Sequence, residues 1–206
     1  MAKTNTKHFQ HYTQNVLNQN TLEKLLEEPP RYLNFKEPIE FYSYSQLNKD
    51  QRKSFYDFNP NDESLSLTYR CVSDHIGFQE PRGKSSSLFL ATQQKVVGYL
   101  TLQFQSKCQY GGDIPSSTCY EVGLGLNDKI AVIRCLAVDQ DFERHDCGAT
   151  LFAAGLDSII HTKSNIDPSI KYVVWESLES SHSYYVDKLG FVPFQMGKYN
   201  FAIALD

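Results

Sequence analysis

Between Val132 and Leu156 the chain passes from the apolar run Val132-Ile133-Arg134-Cys135-Leu136-Ala137-Val138, through the polar stretch Asp139 to Cys147, into a segment with Leu151, Phe152 and Leu156 at helical spacing. The spacing predicts a buried strand, a turn and an amphipathic helix whose first residue is Gly148. Such a β-α unit must bury the helix stripe on the sheet that its strand enters. It also carries chemistry, because a helix N-terminus aimed out of a strand end offers unbonded N–H groups and a positive dipole to an anion.

The 206 residues suffice for one domain with a substantial core. With 41% hydrophobic and 13% aromatic residues, a folded globule is expected. A net charge of −4 and a pI near 5.9 provide no basic footprint, so nucleic acid is disfavoured as a partner, a local basic patch aside. No apolar run approaches membrane-spanning length, and the N-terminus is polar, which predicts a soluble cytoplasmic protein with no membrane partner. Cys71, Cys108, Cys119, Cys135 and Cys147 are odd in number and form no C-x-x-C pair, so reduced thiols are expected.

Residues 1–19 are polar and read as a flexible arm or a helix docked elsewhere; residues 20–28 read as a short helix with Leu22, Leu25 and Leu26 on one stripe, ended by Pro29-Pro30. Residues 1–30 are thus set apart as an arm, and residues 31–206 as the domain. Ile39 to Tyr44 alternates as a strand, and Asn48 to Phe58 reads as a capped helix. Thr68 to Gly77 has no clear assignment. Ser87–Thr92 and Val96–Phe104 flank Gln93-Gln94-Lys95 as a hairpin. Residues 105–128, with their Gly, Pro and Ser content, predict a long connection containing at most a minor hairpin. Strands are expected at Lys171–Trp175, Phe191–Phe194 and Asn200–Leu205, with a helix over Ser180–Leu189.

The strand, anion turn and helix, followed by a strand, a helix and Lys188-Leu189-Gly190-Phe191, resemble the GNAT superfamily of acyl-CoA-dependent N-acyltransferases over residues 87–205. The resemblance implies a mixed α/β fold: a twisted, mainly antiparallel sheet with helices on both faces. It implies acetyl-CoA as acyl donor and an amine-bearing acceptor, with a homodimer left open. Pantetheine would pair with backbone at Leu136, Ala137 and Val138. Pyrophosphate would meet N–H groups of Arg144, His145, Asp146, Cys147, Gly148 and Ala149. In the family turn, Gln/Arg-x-x-Gly-x-Gly/Ala, Glu143 falls at the first place, Asp146 at the first glycine and Gly148 at the second. A carboxylate about 4 Å from a phosphate would cost on the order of 4 kcal/mol at an effective dielectric near 20, so Glu143 and Asp146 must turn toward solvent. Asp146 can instead serve as a helix cap.

The family's late helix carries a tyrosine as general acid, and that place holds Val186, with Tyr184 and Tyr185 beside it. A one-residue change of helix register would bring Tyr185 to the sulfur. Glu179 and His182 fall where relatives have Asn and Ala, and His182 suits proton transfer near neutrality. Val132 stands where some relatives place a basic glutamate. Arg134, the one charge inside this apolar run, must find a carboxylate, a water path or a ligand, a structural ion pair being expected before a substrate contact. Direct attack of the amine on the thioester follows from the lack of a convincing nucleophile. Two rivals stand beside transfer: a GNAT-shaped module, weak or inactive, that binds acyl-CoA or a protein partner, and a thiol hydrolase using Cys147, for which a buried small hydrophobe is the simpler reading. No metal site is expected; Cys71 and His75 at i, i+4 supply too few ligands.

Overall fold

A computed structural model describes residues 2–28, 38–54, 57–59, 85–143 and 145–205; for residues 2–12, 85, 86 and 180 it describes the backbone alone. Thr68 to Gly77, Cys71, His75, Pro29, Pro30 and Arg144 lie outside the described residues. The elements in chain order are α1 (Ala2–Glu27), β1 (Glu40–Ser43), α2 (Lys49–Ser54), β2 (Ser85–Ala91), β3 (Val96–Ser106), α3 (Lys107–Tyr110), α4 (Ser116–Glu121), β4 (Lys129–Val138), α5 (Cys147–Asn165), β5 (Ile170–Trp175), α6 (Glu179–Ser183) and β6 (Phe201–Ala204). The six strands lie in sheet order β1-β2-β3-β4-β5-β6, and the pairs β1/β2, β2/β3 and β5/β6 are antiparallel. This is the mixed, mostly antiparallel α/β architecture expected. The chain forms two compact units: residues 1–28, 104–132 and 156–206, and residues 29–103 and 133–155.

In the second unit the predicted hairpin is present, and Thr92 fixes its turn. Its N–H donates to Lys95 O at 2.9 Å, and its hydroxyl accepts from Lys95 N at 3.0 Å. Asn48 caps α2 as its residue type predicts: Gln51 N donates to Asn48 Oδ1 at 2.9 Å, and Asn48 N to Gln51 Oε1 at 2.8 Å. Leu47, Phe58, Phe89, Tyr99 and Ala137 form a buried cluster there. Gly98 lets α5 come close: a Cβ would stand 2.8 Å from Leu151 Cδ1 and 2.9 Å from Ala137 O. Gly155 does the same against Leu100, at 2.9 Å. These two glycines fix how α5 leaves the turn.

In the first unit, α1 is one continuous helix; the break between an arm and a short helix does not occur. Its docked face carries amides ahead of the expected apolar positions Leu22 and Leu25, which are buried. Asn18, fully buried, donates through Nδ2 to Val192 O at 2.9 Å and Ala202 O at 3.0 Å, and accepts from Val192 N at 2.7 Å. Ala204 N donates to Asn15 Oδ1 at 2.7 Å, and Gln19 Nε2 to Ala204 O at 3.1 Å. Asn15, Asn18 and Gln19 share one face with the buried Leu22 and Leu25, and they satisfy the backbone groups that β6 does not use in pairing with β5.

Three other expectations are corrected. Residues 105–128 contain two short helices, α3 and α4, and no hairpin. They pack through Tyr110, Ile114, Cys119 and Leu124 onto Val132, Val174 and Ala202. Phe191–Phe194 is not a strand, although Phe194 N does bond Asn200 O at 3.0 Å; Pro193 within it has no N–H to give a ladder. α5 begins at Cys147, one residue before Gly148.

Candidate functional site

The anion turn is anchored by Asp139, at the end of β4 and 1% exposed. Its carboxylate meets Lys95 Nζ at 2.9 Å and accepts from Asp141 N at 3.2 Å and Asn59 N at 3.3 Å. Burial works against the Lys95 charge, but Asp139 and Asp141 outweigh it and hold the ammonium above its ordinary pKa. Beyond this anchor, Asp146 has φ +57°, alone among the described non-glycine residues at positive φ. Its carbonyl accepts Thr150 N and Thr150 Oγ1, both at 2.9 Å. The place that resembles the family's first glycine therefore keeps a glycine-like backbone, and Asp is among the few residues that adopt it at modest cost.

Cys147, Gly148 and Ala149 open the 19-residue α5, so their N–H groups have no acceptor within the helix. This donor set, with the helix dipole behind it, fits a pyrophosphate. The neighbouring side chains do not assist: Glu143 and Asp146 are half-buried, not fully turned to solvent, and His145 is exposed. Leu136 and Val138 are half-buried and Ala137 is buried at the end of β4.

Cys147 is 1% exposed, and its thiol is pushed up to about 11, first by burial and then by the Asp146 charge. A thiol neutral at pH 7 is a poor nucleophile, as expected of a small buried hydrophobe. Arg134 departs from expectation. It is exposed, and its Nε donates to Gln103 Oε1 at 2.8 Å, with no carboxylate needed because solvent reaches β4 at that point.

In the first unit, β5 ends at Trp175, whose ring stacks on Phe201 at 5.0 Å and 3° and meets Phe191 edge-on at 5.3 Å. Tyr185, 6% exposed, packs on the same group, 5.7 Å from Trp175 and 5.5 Å from Phe201, with Tyr184 at 5.5 Å. The chain over Tyr184–Lys188 is a π-helical turn, in which Leu189 N donates to Tyr184 O at 3.1 Å. A π turn takes up one residue more than an α turn.

His182 and Val186 instead line an open cavity of about 630 Å³, together with Ser177, Glu179, Asp187 and Asn200. Ser177 Oγ lies 3.1 Å from His182 Nδ1 and 3.0 Å from Asn200 Nδ2, while Ser177 N donates to Asn200 Oδ1 at 2.9 Å. Ser177 and Asn200 went unnoticed in the sequence. They stand 23 positions apart, and no motif links them to His182.

Solved structures align over most of the chain. A structure of AtaT complexed with acetyl-methionyl-tRNAfMet matches with a TM-score of 0.55 and 19% identity, covering 82% of this chain and 94% of that one. A tyrosine-to-phenylalanine mutant of the AtaT toxin, bound to acetyl-CoA and the C-terminus of the antitoxin AtaR, matches with a TM-score of 0.56 and 20% identity, covering 82% and 93%. The fold is that of the GNAT superfamily. A third GNAT-fold match, the KacTA–DNA complex, has a TM-score of 0.53 and 13% identity over 82% and 92% of the two chains. No protein-family model and no curated protein matches the sequence. Among the described residues there is no cluster of three metal-ligating side chains, and no helix is long and apolar enough to cross a membrane.

Proposed function

We propose that the protein transfers an acetyl group from acetyl-CoA to an amine by direct attack on the thioester. The observation that carries this is the opening of α5: three consecutive N–H groups without helical acceptors, entered through a residue held at φ +57° where the resembling family has glycine. Solved GNAT-fold neighbours that contain acetyl-CoA or an acetylated aminoacyl-tRNA support the same donor and an amine acceptor. Leu136, Ala137 and Val138 would pair with the pantetheine arm, and Arg144 to Ala149 would meet the pyrophosphate. Tyr185, one residue before the family's tyrosine place and within a π turn that takes up one residue more than an α turn, is the candidate acid for the leaving thiolate, and His182 a second proton-transfer group. A cytoplasmic location belongs to this reading.

The test is a calorimetric titration of acetyl-CoA into the full chain and into Gly148→Glu, followed by thiol release with a panel of small amines, peptides and an aminoacyl-tRNA. Micromolar binding lost in Gly148→Glu, with amine-dependent thiol release, is the expected result. Binding without turnover would favour the inactive module, and amine-independent release a hydrolase. No binding at all would overturn the assignment of the turn.

A further inference from the structure

Arg134 is the one charged residue between Ile130 and Val138, and it is exposed although β4 is an inner strand of the sheet and Ile133 beside it is buried. Cys135 and Leu136 are only half-buried, so this stretch of β4 opens to solvent. The guanidinium is held there. Its Nε donates to Gln103 Oε1 at 2.8 Å, which ties the plane of the group to β3. The N–H groups of its two terminal nitrogens meet no acceptor among the described residues, and no carboxylate among them pairs with the charge. The Gln103 amide thus orients the cation without neutralising it.

A fixed guanidinium fork with an unopposed charge suits an oxyanion, which takes two parallel N–H bonds from it. That anion is not the pyrophosphate of acetyl-CoA. Arg134 precedes Val138 by four residues, about 13 Å of strand, and the turn into α5 lies beyond Val138. With the pantetheine arm along Val138 and Leu136, as proposed above, the thioester end lies on the Arg134 side of the turn. We propose that Arg134 binds an oxyanion, a phosphate or a carboxylate, carried by the acceptor itself, with Gln103 as the positioning residue that holds the fork. The acceptor class is then an amine with an anionic group a few atoms from its nitrogen. The acceptor's role rests on the acetyltransferase reading; the oxyanion site does not. A guanidinium stays protonated in proteins, so Arg134 holds the acceptor and exchanges no proton.

Two measurements on the full chain test this. The Arg134 Nε–Hε resonance, assigned by its loss in Arg134→Lys, should shift on titration with sodium phosphate or sodium acetate beyond a sodium chloride control of equal ionic strength. The anion that moves it further identifies the group, and no shift beyond chloride overturns the site. Gln103→Ala should weaken the response several-fold. An equal response in that variant overturns the positioning role.

For transfer, ethanolamine, β-alanine and phosphoethanolamine place the same two carbons beside the amine and differ in the far group. At low salt the wild type should show kcat/KM about tenfold higher for at least one of the two anionic amines than for ethanolamine. Arg134→Gln should bring that ratio near one, and Arg134→Lys should keep part of it, because an ammonium retains the charge and loses the fork. A ratio near one in the wild type, a ratio unchanged in Arg134→Gln, or turnover confined to amines without an anionic group overturns recognition of the acceptor by Arg134. A merely structural arginine would lower all three activities together and leave the ratio in place. A wild type that neither binds nor consumes acetyl-CoA would refute the acetyltransferase reading instead, and the anion titration would still judge Arg134.

Discussion

Asp146→Asn removes one negative charge at the N-terminus of α5 and keeps a side chain that tolerates φ +57°. Two consequences of opposite sign follow. Without ligand, a carboxylate at a helix start is favoured by the dipole by about 0.3–1 kcal/mol, so the variant should unfold slightly more easily. With acetyl-CoA, the same carboxylate opposes a pyrophosphate carrying about two charges. At a distance of about 8 Å and an effective dielectric of about 40, each charge contributes roughly 1 kcal/mol, hence roughly 2 kcal/mol in all. The variant should therefore bind acetyl-CoA about 30-fold more tightly while being the less stable protein. Calorimetry at about 0.05 M and 1 M salt checks the cause, since screening lengths near 3 Å at the higher salt should remove most of the advantage. Equal or weaker binding at low salt would refute the reasoning, because it would mean that no phosphate lies near this turn.

Asn18→Ala should cost about 3 kcal/mol in urea unfolding, since it strips partners from Val192 N, Val192 O and Ala202 O at a buried site; a loss under about 1 kcal/mol would show that water replaces the amide. Gly197→Ala should be severe, by about 3 kcal/mol or more, because Gly197 has φ +65° and a Cβ would stand 2.0 Å from Asp113 O; a change within experimental error would refute the described packing of that turn. Tyr185→Phe should lower kcat by on the order of 10²-fold with acetyl-CoA affinity retained, and equal turnover would remove Tyr185 from proton transfer. Cys147 has a folded pKa of about 11 against an ordinary 9.0, so the unfolded chain releases this proton first and stability should fall as pH rises from about 9 to 11. Cys147→Ala should flatten that part of the stability curve, which pH-dependent unfolding would reveal.

Where apolar periodicity carries the structure, the sequence is readable. The β2/β3 hairpin and β5 stand within two residues of their expected ends, and α5 starts one residue before its expected start, because Leu100, Leu102, Leu151, Phe152 and Val173 are buried at the spacing each element requires. α1 is readable only in its last turns. Asn15, Asn18 and Gln19 continue the stripe of Leu22 and Leu25, yet an amide stripe resembles a solvated face until the unpaired edge of β6 is there to receive it. Arg134 misleads for the converse reason: apolar neighbours along a strand imply burial, whereas coverage of β4 by other elements decides it, and solvent reaches this residue. The Ser177-His182-Asn200 cluster could not be foreseen, since it depends on β6 returning Asn200 beside the end of β5.

The two motif departures have a common physical character. A family motif records side chains, but at the turn and the late helix what the chemistry requires is a backbone path. Asp146 replaces a glycine and still takes the left-handed conformation, at a cost smaller than the roughly 1–2 kcal/mol borne by most L-residues. Val186 stands where the resembling family has a tyrosine, and the wide turn over Tyr184–Lys188 takes up one residue more than an α turn would. In both places the residue type differs from the motif and the backbone leaves the plain α-helical course. Charge is a different matter, because Asp146 adds a carboxylate that a glycine lacks. Under the proposed function, a weaker grip on acetyl-CoA, set by Asp146 and released by Asp146→Asn, is what a left-handed turn residue that carries a charge entails.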